Sequence, residues 1–418
     1  MNKNQKILVC IGVILSISLF VLVLFQGLGA ISPITDTYFM GYDYYGLPRC
    51  GKAILNGTNP FNAHLDYKYG LMATPWASHP LLCVFPGTLL SMLTPTNGFW
   101  LMNFLYLLLH MSIIYYCGAN LKRNDDLFKV DVFFFISIGF FIPWYVMYSQ
   151  GQYHGISVLA VFLVLINSNA KSYIGFIISA FSKPLLAPSA IILFAMKKWR
   201  IIFIILAVLL LVNIPFLLIG YEENQLKFMH SPSLFSQFLS AGSGRLQYHI
   251  PSWNQHMGLS LLLGSWFTPD INLIIRAVIC TILLIASVYI ARIGRFKVAI
   301  SLSLLWFLTL YAFGFDYHLT TLLPVMVYLY REKSGIYRNW IFCLITFFIS
   351  APTTYPILVK LMGTKNAWEV TLLQMHDYNS LLYWIHLGMK PITILFLGCY
   401  IVYKEIKLKE NSYSKDYV

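Results

Sequence analysis

The sequence sets a few ionisable and aromatic residues, the ones able to do chemistry, among long apolar runs. Asp36 and Asp43 follow the first apolar run, and Asp43 leads directly into Tyr44 and Tyr45. A carboxylate can take a proton from a hydroxyl group, and tyrosine rings can stack on sugars or hydrogen-bond their hydroxyls. The alternative is that both acids only cap the turns of a solvated loop, a common role of Asp. This loop is the first candidate for a site.

Histidines form the second set of polar groups. Eight of the ten fall on the predicted outer side or at outer helix tips: His64, His79, His154, His230, His249, His256, His318 and His376. The chain has no HxH, HExxH or DxD spacing, and its seven cysteines show no CxxC spacing. Ligands of structural and catalytic metals usually occur at such spacings. The sequence therefore predicts no metal site.

Composition predicts the elements that must position these residues. Of the 418 residues, 58% are hydrophobic and 11% charged, and the mean hydropathy is +0.68. An average soluble domain carries about 25% charged residues, so a soluble globular enzyme is excluded. The net charge of +13 comes from short basic clusters between apolar runs, so we expect no nucleic-acid partner.

The basic clusters predict the topology. Nineteen of the 29 Lys and Arg fall in seven segments that we assign to the cytoplasm: 1–6, 119–130, 168–172, 197–200, 292–297, 331–338 and 404–418. Because cytoplasmic loops are enriched in Lys and Arg, both termini are expected in the cytoplasm and the number of crossings is even. The prediction is an all-α polytopic protein of the plasma membrane with about twelve crossings, near residues 7–28, 97–118, 131–149, 154–168, 172–183, 184–197, 201–220, 271–292, 298–314, 317–331, 339–357 and 381–403.

Two apolar runs are assigned by charge rather than by hydropathy. Counting residues 79–93 as a span would place the Lys122-Arg123 loop outside, so we expect a helix at the outer surface. Residues 172–196 look like one span, but the basic residues at both ends belong inside, so two short helices should meet near Ser182-Lys183-Pro184. A lysine at such a break lines a cavity and is a site candidate. The alternative is one tilted helix from which Lys183 snorkels.

Two sizeable outer segments remain, 31–96 and 221–270, within a single membrane domain that covers residues 1–418. The cytoplasmic loops are shorter than about 15 residues, too short for the βα units that bind nucleotides, so function is expected at the outer face or within the bundle. Cys50 and Cys83 lie in the first outer segment, where an oxidising compartment would allow a disulfide. Their spacing does not show whether they meet, and free thiols are favoured.

The first outer segment contains a recognisable series of motifs. Asp43-Tyr44-Tyr45 is followed by Ile54-Leu55-Asn56-Gly57-Thr58-Asn59-Pro60-Phe61. An acid soon after the first span, a tyrosine-rich stretch and a Gly-x-Asn-Pro-aromatic turn resemble the lipid-dependent GT-C glycosyltransferases. The likeness is greatest to glycosyltransferase family 87, which includes mycobacterial mannosyltransferases and carries a Leu-Leu-x-Gly-x-x-Pro-Tyr turn at this place.

Further motifs resemble that family in the same order along the chain. They are Ser78-His79-Pro80-Leu81, Gly151-Gln152-Tyr153-His154, Ser182-Lys183-Pro184 with the Lys197-Lys198-Trp199-Arg200 cluster, Trp253-Asn254-Gln255-His256, and Phe315-Asp316-Tyr317-His318 before Leu323-Pro324. Histidine replaces the family's asparagine at position 154 and its serine at position 256. The resemblance implies a GT-C-like bundle with surface helices in the first large outer loop.

The resemblance also implies an activity. The resemblance implies a hexosyltransferase, and the resembled family includes mannosyltransferases. A GT-C enzyme moves a sugar from a polyprenyl-phosphate donor to a lipid or glycan acceptor among the membrane lipids at the outer face. The departing phosphate needs little protonation, so one carboxylate acting as base on the acceptor suffices, with inversion at the sugar. Asp43 is the expected base and Asp36 the second candidate. Tyr44 and Tyr45 are expected at the sugar, and no cofactor is implied.

The charge on the departing phosphate requires cations that are already in place. Lys183 is the first candidate, His79 at a helix N-terminus the second, and Arg245 or Arg49 the third. A structural hydrogen bond is an equal alternative for His79, and the Gly/Ser-rich stretch around Arg245 is either a mobile loop over the substrate or a plain solvated loop. Sugar or acceptor binding is assigned to polar residues at predicted helix tips: Gln152, His154, Asn254, His256, Asp316 and His318.

Two other classes of membrane protein remain open. A transporter or flippase would use a similar cavity, but transporters commonly show paired broken helices in inverted repeats, and only the break at Ser182-Lys183-Pro184 is convincing. An O-antigen polymerase or ligase usually carries its long, arginine-rich loop late in the chain. Here the acid-bearing loop directly follows the first span.

Overall fold

The computed structural model describes residues 1–25, 44–57, 80–122, 124–151, 153–167, 172–182, 185–218, 259–264, 266–310, 316–352 and 381–415. Every regular element in these ranges is helical. The α-helices are α1 (Lys3–Leu24), α2 (Gly46–Leu55), α3 (Pro80–Leu82), α4 (Thr88–Ser91), α5 (Pro95–Ala119), α6 (Phe128–Gly139), α7 (Ile142–Gln150), α8 (His154–Ile166), α9 (Ser172–Phe181), α10 (Ser189–Ala195), α11 (Trp199–Leu218), α12 (Leu259–Gly264), α13 (Pro269–Arg292), α14 (Phe296–Leu310), α15 (Leu322–Tyr330), α16 (Trp340–Ser350) and α17 (Leu381–Lys415). The prediction of a helical fold is confirmed for this part of the chain.

Four segments of the described residues are long and apolar enough to cross a membrane: Lys3–Leu24, Pro95–Ala119, Asp125–Ser149 and Asp270–Arg292. Shorter apolar helices accompany them: His154–Ile166, Ser172–Phe181, Trp199–Val212, Phe296–Trp306, His318–Tyr330 and Trp340–Ser350. Each of the twelve predicted crossings contains a helix of the structure. How many of these helices span a membrane stays a prediction.

Local sequence signals set the starts of the first long helices. Asn2 and Gln5 form a reciprocal cap on α1, in which each side chain accepts a hydrogen bond from the other residue's backbone N–H, at 2.8 and 2.7 Å. At α5, Thr94 accepts from the backbone of Asn97, and Pro95 takes the first helical position, where its missing N–H costs nothing.

Glycines allow α1 to pack closely against α5 and α6. A Cβ atom at Gly12 would lie 2.7 Å from the Ile114 side chain, and one at Gly139 would lie 2.7 Å from the Gly12 carbonyl oxygen. In apolar surroundings, close packing between small residues is a main source of helix association. The contact holds α1 against helices that lead to the candidate site.

Charged segments gather at one end of the bundle. Contacts join five of the seven segments that the charge count placed together: 1–6, 119–130, 292–297, 331–338 and 404–418. Lys122 Nζ donates to the Lys333 carbonyl at 3.1 Å, and Arg295 pairs with Glu332 at 2.6 Å and with Glu405 at 2.8 Å. We call this region the charged end. The shared end agrees with the charge count, whereas its side of a membrane stays a prediction.

The two apolar runs assigned by charge have different outcomes. Helix α9 ends at Phe181 and α10 begins at Ser189, so the expected interruption is present. Residues 80–91 are helical except at Phe85, whose extended backbone angles (φ −146°, ψ 122°) divide them into short turns, and their position at an outer surface stays a prediction. Pro86 explains the division: proline has no N–H and disfavours helical backbone at the preceding residue.

Candidate functional site

Four of the motifs that resemble the glycosyltransferases have described residues at the end of the bundle opposite the charged end. Helix α8 runs between the two ends. The Leu165 carbonyl accepts a hydrogen bond from Lys297 at 2.8 Å, and His154 begins the helix about 17 Å away at 1.5 Å per residue. We call the region around Tyr44, Gly151, His154, Ser182 and His318 the motif end.

Tyr44 joins the Asp-Tyr-Tyr motif to the Gly-Gln-x-His motif. Its side chain is fully buried, and its ring meets Phe99 edge-on with 5.7 Å between centroids. Gly151 follows α7 with φ +64°, and a Cβ atom there would lie 2.5 Å from the Tyr44 Cβ. Both the left-handed backbone and the close contact require glycine.

Two buried phenol groups lie near these contacts. The hydroxyls of Tyr44 and Tyr106 have no hydrogen-bond partner among the described residues. A buried polar atom left unpaired costs about 1–3 kcal/mol, so each hydroxyl favours a hydrogen-bonding partner. The Tyr106 ring lies against Gly155, where a Cβ atom would come within 2.4 Å of it. Tyr106 was not among the predicted site residues, because one tyrosine in a long apolar helix is typical of a core position.

The start of α2 carries three predicted site residues. Tyr45 is half-buried, and its ring lies 5.5 Å from that of Tyr44. Burial raises the pKa of both phenols, and the neighbouring Tyr45 raises that of Tyr44 further, so both stay neutral donors at physiological pH. Arg49 lies one turn after Tyr45, and its backbone N–H donates to the Tyr45 carbonyl. The Arg49 side chain is buried. A predicted phosphate-binding cation thus lies on the short helix that directly follows the two tyrosines.

His154 and His318 meet across two motifs. Both side chains are buried, with ring centroids 5.1 Å apart and ring planes at 71°. His154 is the first residue of α8, and His318 lies in a 3-10 turn over Asp316–Thr321, where the Thr321 hydroxyl donates to the His318 carbonyl at 2.7 Å. Imidazole nitrogens can donate or accept hydrogen bonds. The pair suits recognition of hydroxyl or phosphate groups.

The break after α9 adjoins this pair. The hydroxyls of Ser157 and Ser182 lie 3.0 Å apart, and Ser157 is one turn along α8 from His154. Ser182 also donates to the Ile178 carbonyl at 2.9 Å, so its hydroxyl closes the last turn of α9. The Ser-Lys-Pro motif therefore begins beside the Gly-Gln-x-His motif.

Several predicted site residues lie outside the described residues. They are Asp36, Asp43, His79, Gln152, Lys183, Arg245, Asn254 and His256. Asp316 begins the 3-10 turn that carries His318. Their roles stay predictions, as do those of the residues whose positions the structure gives.

His110, one of the two histidines predicted within spans, is held in place by hydrogen bonds to other protein groups. Its Nε2 donates to the Ile138 carbonyl at 2.8 Å, so its Nδ1 is the acceptor toward the Ser16 hydroxyl, also at 2.8 Å. Its ring stacks on Trp144 with 4.5 Å between centroids. With both nitrogens satisfied by protein groups, His110 links α5 to α1 and α6.

Within the described ranges, no group of three or more His, Cys, Asp or Glu side chains is arranged to hold a metal ion. No protein-family model, curated protein or solved structure matches the chain. The functional argument therefore rests on the residues themselves and on the contacts between motifs.

Proposed function

We propose that the chain is a membrane glycosyltransferase of the GT-C type, a hexosyltransferase. It would transfer a sugar from a polyprenyl-phosphate donor to a lipid or glycan acceptor at the outer face of the plasma membrane. The supporting observation is that described residues of four motifs, which are far apart in the sequence, meet at the motif end. Tyr44 contacts Gly151, His154 contacts His318, and Ser182 bonds Ser157 next to His154.

A lipid-linked donor requires an apolar surface, and α13 provides one. Ile274, Val278, Ile282 and Ile285 recur at helical spacing and are each more than half exposed. Exposed apolar stripes of this length mark an interaction with lipid or with another apolar surface. The stripe supports a bundle that faces lipid, as the predicted topology requires.

The proposed reaction assigns a role to each group. Asp43 accepts the proton of the acceptor hydroxyl. At the same time the acceptor oxygen bonds to the anomeric carbon and the bond from that carbon to the polyprenyl phosphate breaks, so the configuration of the carbon is inverted. Lys183, with Arg49 on α2, stabilises the charge on the departing phosphate. The neutral phenols of Tyr44 and Tyr45 and the two histidines contact sugar hydroxyls.

The decisive experiment incubates purified protein with radiolabelled polyprenyl-phosphate mannose, glucose or arabinose and a membrane lipid extract. We expect label from one donor to pass to an acceptor that is separable from the donor by chromatography. If no donor is consumed, while liposomes containing the protein move a labelled lipid-linked sugar or a polar solute across the bilayer, the transporter is the correct function.

A further inference from the structure

Two cysteines meet in the first large loop. Cys50 lies in α2, and Cys83 begins the helical turns that precede α4. Both side chains are at most 1% exposed, and the two thiols are close enough to interact. Both are free in this structure, where the Cys50 Sγ donates to the Leu47 carbonyl at 3.0 Å. The segment between them contains the Gly-x-Asn-Pro turn and His79.

Backbone contact brings the two cysteines together. A Cβ atom at Gly51 would lie 2.1 Å from the Gly87 carbonyl carbon, and one at Gly87 would lie 2.9 Å from the Leu47 carbonyl oxygen. The two strips of chain therefore touch without side chains between them. A disulfide needs Cα atoms about 4.4–6.8 Å apart, and close approach of the two backbones favours such a separation.

Other roles for this pair fit less well. No third metal ligand joins it among the described residues. Burial, and then the neighbouring Cys83, raise the pKa of the Cys50 thiol, so it is a poor nucleophile. A buried pair on two segments whose backbones touch suits a structural crosslink.

We propose that Cys50 and Cys83 form a structural disulfide that fixes α2 to the 80–91 segment. In this step each thiol loses one proton and one electron, the two sulfurs bond, and a disulfide-bonded oxidant in the outer compartment is reduced to two thiols. The bond forms during folding, before the loop buries both sulfurs. Since α2 directly follows Tyr44 and Tyr45, the crosslink holds these phenols against α5 and Gly151.

This inference goes beyond sugar transfer. It requires the first large loop to face an oxidising compartment, because disulfides are rare in the reducing cytosol. The chain offers a matched control: Cys117 and Cys343 are buried near each other at the charged end, which we place in the cytoplasm. We expect that pair to stay reduced.

The test traps thiols by quenching intact cells in acid, alkylates the neutralised sample with N-ethylmaleimide under denaturing conditions, digests the purified protein without reduction, and identifies peptides by mass spectrometry. We expect most Cys50 and Cys83 to occur in one linked peptide, two hydrogens lighter than the separate thiol peptides, while Cys117 and Cys343 are alkylated. Alkylation of both Cys50 and Cys83, or linkage of either to a different cysteine, would overturn the proposal.

A stability measurement tests the structural role. Reductant should lower the thermal unfolding midpoint of the wild-type protein toward that of a Cys50→Ser/Cys83→Ser variant, whose midpoint should not respond to reductant. A wild-type midpoint that is indifferent to reductant would contradict a structural crosslink. The sugar-transfer assay is a separate readout, so failure of the transferase proposal and failure of the disulfide are distinguishable.

Discussion

At the scale of single residues, Asp43 carries the strongest prediction. Asp43→Asn keeps the size of the side chain but removes the base, so sugar transfer should fall about 10²–10⁴-fold. If Asp43 only caps a turn, the substitution should cost about 1 kcal/mol of folding free energy and leave turnover intact. Initial rates with the labelled donor, together with the thermal unfolding midpoint, separate these outcomes.

Asp36→Asn is the matched control for Asp43, because Asp36 lies in the same loop and has the same chemistry. An active Asp43→Asn protein with an inactive Asp36→Asn protein would reassign the base and keep the transferase. Normal transfer by both variants would show that neither carboxylate is the base that the proposed reaction requires.

The unpaired hydroxyl of Tyr44 gives a second prediction. Tyr44→Phe removes a buried group that has no partner among the described residues, so the unfolding midpoint should stay the same or rise slightly. If the hydroxyl binds sugar, kcat/KM for transfer should fall about tenfold, the value of one hydrogen bond.

Tyr330→Phe is the control for that substitution. Its hydroxyl donates to Asp131 at 2.7 Å near the charged end, so its loss should lower the unfolding midpoint and spare transfer. Full activity of Tyr44→Phe would remove Tyr44 from the sugar site.

At this scale the sequence predicts candidate residues but not the partners that they contact. Gly151 and His154 were found as parts of one motif, but the contacts of Gly151 with Tyr44 and of His154 with His318 depend on packing between helices. Tyr106 escaped prediction because its environment depends on Gly155, a partner on another helix. Residue types reveal chemistry, whereas pairing is a tertiary property.

At the scale of helices, a buried ion pair joins α6 to the turn before α16. Arg338 donates from Nε to Asp131 at 2.7 Å and from Nη1 to the Lys122 carbonyl at 2.6 Å, and both paired side chains are almost fully buried. Removing one partner leaves an uncompensated buried charge, which costs about 3–5 kcal/mol.

Asp131→Asn should therefore lower the thermal unfolding midpoint markedly in detergent, whereas Asp126→Asn, at an exposed position nearby, should shift it little. Equal midpoints for the two variants would show that the pair does not hold the helices together.

The pairing of Arg295 with Glu332 predicts a pH dependence of stability. Burial alone would raise the pKa of Glu332, but hydrogen bonds from Arg295 and Ser334 and the Arg295 charge outweigh it and lower this pKa from 4.5 to about 2. A lowered folded-state pKa stabilises the fold above the unfolded value, and the contribution is lost as pH falls from 4.5 through about 2. The midpoint difference between wild type and Glu332→Gln should thus be full at pH 7 and shrink over that interval. A difference that is constant from pH 7 to 2 would contradict this sign.

Prediction of elements succeeded where one local signal decided the outcome. The interruption between α9 and α10 follows from Pro184 and the flanking basic residues, and the structure has it. The kink that divides residues 80–91 was not predicted, although Pro86 is visible in the sequence. The continuous apolar run favours one helix, whereas the missing N–H of proline interrupts it.

At the scale of the whole molecule, charge patterning predicted an arrangement that no local signal contains. Five segments from Asn4 to Glu405 were assigned to one side because they are basic, and the structure joins them at the charged end. Charged groups are costly in an apolar bundle, so they collect where they can pair with each other and with water. The described motif residues lie at the opposite end.

This segregation makes the orientation of the molecule testable. Single cysteines introduced at Asn124 and Lys333, both exposed at the charged end, should resist a membrane-impermeant thiol reagent in intact cells and react after the cells are permeabilised. A cysteine at Gly242, in the second predicted outer segment, should react without permeabilisation. The reason is the 19 of 29 basic residues assigned inside, since moving such clusters across a bilayer is strongly disfavoured. Labelling of positions 124 and 333 from outside, with position 242 protected, would show that the molecule has the opposite orientation in the membrane. The motif end would then face the reducing cytosol, where neither an outer-face transfer reaction nor the Cys50–Cys83 disulfide is tenable.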